Sequence, residues 1–117
     1  MKFSLAMLSL LSMVSYTKKE APAPSDEIVL GHIASLTGAI ANFGQSTEKG
    51  VRLALMQYNA AGGFNGKKVK VITYDTQSKP EEAAATMTKL ITQDNVLAVI
   101  GEVASSLSLY AADVAMR

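Results

Sequence analysis

An α/β fold built on a parallel, partial doubly wound sheet of three βα units, strand order 2-1-3, is the architecture this sequence predicts. Three observations carry it. Apolar, β-branched runs recur at residues 28–34 and 96–100, with the alternating run "KKVKVITYD" between them. Each is followed by a segment of helical apolar spacing, and glycine or Asp/Asn turns separate the pieces. Strand–helix alternation of this kind means parallel strands joined by right-handed crossovers. The chain then leaves the first strand on one side for the second and returns on the other side for the third.

The first strand, residues 28–34, is apolar apart from His32, as a strand covered on both faces should be. After the loop "SLTGAIANFG" a helix is expected over residues 46–61, where Val51, Ala54, Leu55 and Tyr58 fall at i, i+3, i+4 and i+7. Gly62 and Gly63 end it, and Phe64, Asn65 and Gly66 form a tight turn. The alternation of Lys68, Val69, Lys70 and Val71 marks an edge strand with one wet side. Ser78, Lys79, Pro80 and Glu81 match a capping box with an early proline. The helix they open carries Ala83, Ala84, Met87, Leu90 and Ile91 on one face and stops at Asp94 and Asn95. A fully apolar third strand, residues 96–100, leads to a third helix from Ser105, with Leu109, Ala112 and Met116 in line.

The chain has 117 residues, no cysteine and a formal charge of +1. That is one small domain, without a disulfide or a cysteine metal site, and without the basic surplus that nucleic acid demands. The start differs from the rest: Lys2, then "FSLAMLSLLSMVS", then the Ala/Pro spacer "YTKKEAPAPS". A positive start and a short apolar core read as an export signal over residues 1–16, with a spacer over 17–25 and the folded unit over 26–117. The apolar run falls short of the ~20 residues a spanning helix needs, and Pro22 and Pro24 prevent its continuation as a helix. The stretch "MVSY" looks like a lipoprotein signal with Tyr16 in place of the lipidated cysteine.

Most chemistries fail on spacing. A nucleophilic serine needs a base and a G-x-S-x-G elbow; Gly101 stands four residues before Ser105, no glycine follows closely, and His32, the only histidine, lies inside a strand. Gly31, Gly38 and Gly44 are too far apart for a dinucleotide fingerprint, and no Gly-Lys-Ser/Thr exists for a phosphate loop. Asp75 ends the second strand without an acidic companion and reads as a turn residue. Open α/β sheets bind ligands at the carboxyl ends of strands where the winding reverses. Here that is the crevice between strands one and three, bordered by "SLTGAIANFGQS" and "GEVASS". Ser105 and Ser106 open a helix there. They can cap it, or they can add hydroxyl donors to its free amides and hold a carboxylate; both readings stand. Phe43 is a loop aromatic that either covers an apolar ligand or packs on the first helix.

In order along the chain, "LTG…FG", "NAAGGFNG", "YDTQSKPEEA" and "VIGEVASS" resemble the branched-chain amino acid binding proteins, the substrate-binding subunits of ABC transporters, over residues 26–117. The resemblance implies the start of lobe 1 of a type I periplasmic binding protein: a non-enzymatic, extracytoplasmic receptor with no cofactor and no metal. Two such lobes close on an amino acid by a hinge, and the complete protein delivers it to a membrane permease. It implies that Ser105 takes the ligand's α-carboxylate, with Val103, Ala104 and Ser106 beside it, and that Phe43 lines the side-chain pocket. Some members staple two loops with a disulfide; Ser78 and Ala104 stand at those positions here. Members exceed three hundred residues, so the expectation is a fragment of the first lobe that on its own binds amino acids very weakly or not at all. The same fold with urea, a short amide or an aromatic acid as ligand, or serving as a receptor's sensing domain, is the alternative.

Overall fold

The computed structural model describes residues 27–117; the export signal and spacer read in the sequence lie outside the described residues. Six elements follow one another: β1 (Ile28–Ala34), α1 (Ala41–Ala60), β2 (Val69–Asp75), α2 (Pro80–Thr92), β3 (Val99–Ile100) and α3 (Ser105–Ala115). The sheet order is β2-β1-β3 and both pairings are parallel. β1 runs in register with β2 from Ile28 opposite Val69 to Ala34 opposite Asp75.

The strand residues point alternately to the two faces. Ile33 faces α2 and α3 and packs with Met87, Leu90 and Ala111, and Ile72, Tyr74, Val96, Val99 and Val114 close around them. This is the core. Gly31 is needed beneath it, because a Cβ there would enter the Leu90 side chain. His32, one residue before Ile33, turns to the α1 face. It is fully buried, and its Nδ1 sits 2.7 Å from Glu48 Oε2. Thr73 on β2 donates to the same oxygen at 3.0 Å, and Arg52 Nε reaches Glu48 Oε1 at 2.6 Å. His32 thus faces α1 from within the sheet and is partnered through Nδ1, while its buried Nε2 has no partner among the described residues.

Four expectations need correction. The helix α1 starts at Ala41, five residues early. Gly44, expected in the loop, lies in the helix and serves a close approach: a Cβ there would collide with the Ser35 backbone. Phe43 is therefore in the first turn of α1 and not in a loop. The capping box is not formed. Lys79 is the N-cap and makes no side-chain cap bond, while Ser78 Oγ donates to the Thr37 carbonyl and accepts the Ile40 amide. The third strand is regular only at Val99–Ile100, although Leu97 N still donates to Val29 O, and Gly31 N to Ala98 O. Leu97 stays exposed because α1 covers β1 and β2 but leaves β3 open. Finally, α3 buries Leu107 and Ala111, not Leu109, which is 69% exposed. A helix apolar on nearly every side carries more than one stripe at helical spacing.

The Val51, Leu55 and Tyr58 stripe of α1 lines an open apolar hollow of about 460 Å³ with Ile28, Leu30 and Leu97. This hollow lies against the amino-terminal halves of β1 and β2 and reaches Ile100 of β3.

Candidate functional site

Three connections meet at the carboxyl edge of the sheet: residues 35–40 after β1, 76–79 after β2 and 101–104 after β3. Asp75 ties the first two together. Its Oδ1 accepts the amides of Leu36 (2.9 Å), Thr37 (3.2 Å) and Gln77 (2.8 Å), and its Oδ2 accepts the Thr37 hydroxyl at 2.6 Å. Burial by itself would raise this carboxyl. The Thr37 hydroxyl and the three amides outweigh it and hold the group below its ordinary value.

The third connection is anchored more deeply. Gly101 has φ 107°, and any Cβ would strike the Ile33 carbonyl, so the chain passes hard against β1 as it leaves β3. Glu102 then turns inward and is 7% exposed. Its Oε2 accepts from Ser35 Oγ at 2.6 Å and Thr76 Oγ1 at 3.0 Å, and its Oε1 accepts the Val103 amide at 2.8 Å. Ser35 and Thr76 hydroxyls are themselves 2.9 Å apart. Each carries one proton, so the triangle of oxygens holds two donated bonds at a time. Ser108 Oγ donates to the Glu102 carbonyl at 2.6 Å and closes the first turn of α3 onto this anchor.

What this clamp presents is the first turn of α3. Its N-cap is Ala104, which has no side-chain acceptor. Among the described residues neither the Ser105 nor the Ser106 hydroxyl makes a hydrogen bond, and both residues are exposed. The capping reading of the two serines is therefore not realised. The carbonyl of Ala104 takes the amides of Leu107 and Ser108, and the amides of Ser105 and Ser106 precede the helical ladder. Val103 is 47% exposed beside them and Ala104 half-buried. Phe43 stands at the same edge on α1, 65% exposed. Val103, Ala104, Ser105 and Ser106 are thus contiguous on one rigid turn, while Phe43 comes from the other face of the sheet. Two uncommitted hydroxyls and free amides at a helix start suit an anion such as a carboxylate. Ser35, Thr76 and Glu102 are the site residues that sequence reasoning missed. The one available signal was a single acid inside the apolar run "AVIGEVAS".

A parallel 2-1-3 sheet with a hydroxyl-bearing helix start at its switch point defines the class, a doubly wound α/β unit with its candidate ligand edge at the carboxyl ends of the strands. A family model described as periplasmic binding protein matches residues 27–117, and the chain belongs to that family. Several of the relatives are named as branched-chain amino acid binding proteins. The "Amino acid binding protein" of Pseudomonas aeruginosa is 38% identical over 88 residues, 75% of this chain and 24% of its own length. The "Leucine-, isoleucine-, valine-, threonine-, and alanine-binding protein" of the same organism is 33% identical over 90 residues, again 24% of its own length. The crystal structure of the branched-chain amino acid transporter substrate-binding protein LivJ of Streptococcus pneumoniae, in complex with isoleucine, superposes with a TM-score of 0.75 at 37% identity, covering 77% of this chain and 26% of that one. A solute-binding protein of an ABC transporter from Rhodopseudomonas palustris, in complex with 3,4-dihydroxybenzoic acid, gives 0.68 at 26% identity, covering 78% and 24%. The chain spans about a quarter of the length of the relatives it matches. Among the described residues no helix is long and apolar enough to cross a membrane, and no cluster of His, Cys, Asp and Glu has the makings of a metal site.

Proposed function

We propose that this chain supplies one wall of an extracytoplasmic receptor for branched-chain or related amino acids, serving ABC-type import through a membrane permease. It binds its solute without transforming it. Residues 1–16 direct export, residues 17–25 are the spacer, and residues 26–117 form the beginning of the first ligand-binding lobe. Ser105 is the carboxylate hook, the Ser106 hydroxyl and the amides of Ser105 and Ser106 complete its donor set with Ala104 beside them, and Val103 and Phe43 offer apolar surface to the ligand side chain. The observation that carries this reading is the pair of uncommitted hydroxyls at an uncapped helix start, held rigidly at the edge where this fold binds ligands.

One wall contributes a few hydrogen bonds, so affinity in the millimolar range, about 4 kcal/mol, is the scale to expect of this chain. Titration with leucine, isoleucine and valine, followed by amide NMR shifts, is the test. The expected result is a saturable change confined to residues 103–106 and the first turn of α1. A flat response to all three amino acids contradicts the reading. The second reading, an aromatic acid as ligand, is favoured by the relative solved with 3,4-dihydroxybenzoic acid; that compound belongs in the same titration.

A further inference from the structure

Glu102 has no assigned part in ligand recognition, yet it is the most deeply set charge at this edge. It is 7% exposed, and all of its partners are neutral: two hydroxyls and one amide. The ion pairs among the described residues involve Glu48 with His32 and Arg52, so no cationic side chain balances Glu102. A buried charge without a counter-ion keeps most of its field, because little water stands between it and its surroundings.

The placement of that field matters. Oε1 accepts the amide of Val103, two residues before Ser105, and the Glu102 carbonyl accepts the hydroxyl of Ser108 inside the first turn of α3. The acid therefore lies against the same helix start that would receive a ligand's carboxylate. The partial positive charge there is already partly used by Glu102. A ligand with net charge −1 meets repulsion from Glu102 on arrival. A zwitterion carries its own ammonium next to its carboxylate, and the two contributions offset.

We infer that Glu102 is a specificity-determining residue of this edge, selecting zwitterionic amino acids over plain monocarboxylates at Ser105. The inference rests on the carboxylate reading of Ser105. The two classes of ligand are real alternatives for this fold, since similar structures hold isoleucine and 3,4-dihydroxybenzoic acid.

The experiment compares leucine with 4-methylpentanoate, which is leucine without its amine, on the 117-residue chain and on Glu102→Gln. Amide shifts of Ser105 and Ser106 report binding. The unmodified chain is expected to take leucine about tenfold more tightly than the acid, and the glutamine variant to bring the two within about twofold. Glutamine keeps an acceptor for the hydroxyls, so a purely structural Glu102 would weaken both ligands in parallel. A ratio that the variant leaves unchanged overturns the inference. Should the variant not fold, the unmodified chain decides: equal binding of the two ligands overturns the inference, and a tenfold preference for leucine supports it. If leucine moves neither amide in the unmodified chain, the hook reading itself fails, and this inference with it.

Discussion

Asn59 grips both sides of the Val69 peptide. Its amide donates to the Val69 carbonyl at 2.8 Å, and its carbonyl accepts the Val69 amide at 2.8 Å. A side chain on the last turn of α1 thereby makes the paired bonds a neighbouring strand would make, at the first residue of the edge strand β2. Asn59→Asp keeps the acceptor but sets a negative oxygen against the Val69 carbonyl. It is expected to lower stability by about 2 kcal/mol, and Asn59→Ala by about 1–2 kcal/mol. Urea unfolding of the three chains checks the order.

Two glycines of α1 should respond in opposite directions. Gly44→Ala forces a methyl into the Ser35 backbone and is expected to cost about 1–3 kcal/mol, while displacing the start of α1 from β1. Gly50 has open space around it, so Gly50→Ala should stabilise by about 0.5–1 kcal/mol through helix propensity alone. Thermal unfolding distinguishes the two signs directly.

These glycines show what was legible in the sequence and what was not. Strand order, the extent of β1, the turn after Gly63 and most of the core face of α2 follow from periodicity and composition, which are local; Ile91, expected on that face, is 41% exposed. The early start of α1 depends on Gly44 packing against the Ser35 backbone at the end of β1, and Ser78 does not cap its helix but bridges Thr37 and Ile40. Those are tertiary contacts with no local signature. The edge position of Ser105 could be read from topology. The Ser35–Thr76–Glu102 clamp that holds it could not, because it joins residues 67 positions apart.

Acid should destabilise the fold in a defined window. Burial alone would raise Glu48, but the hydrogen bonds from His32 and Thr73 and the charge of Arg52 hold it below its ordinary value of 4.5. Asp75 is likewise held below 3.8. A carboxyl depressed in the folded state contributes stability above its unfolded value and loses it as pH falls through the folded one. Stability is therefore expected to be level near neutrality and to decline as pH drops past about 4.5. Glu48→Gln should flatten the upper part of that decline. Urea midpoints measured from pH 7 to pH 3 give the curve, and an unchanged slope in the glutamine variant would contradict the assignment.

The central claim is that Ser105 is the carboxylate hook, and substitution of the two adjacent serines tests it most directly. Leucine is titrated against the unmodified chain, Ser105→Ala and Ser106→Ala, with the amide shifts of residues 103–106 as readout. Neither hydroxyl has a partner among the described residues, so both variants should fold unchanged. The account predicts about a five- to tenfold loss for Ser105→Ala, the equivalent of about one net hydrogen bond, and a smaller loss for Ser106→Ala. Undiminished leucine binding by Ser105→Ala would contradict it.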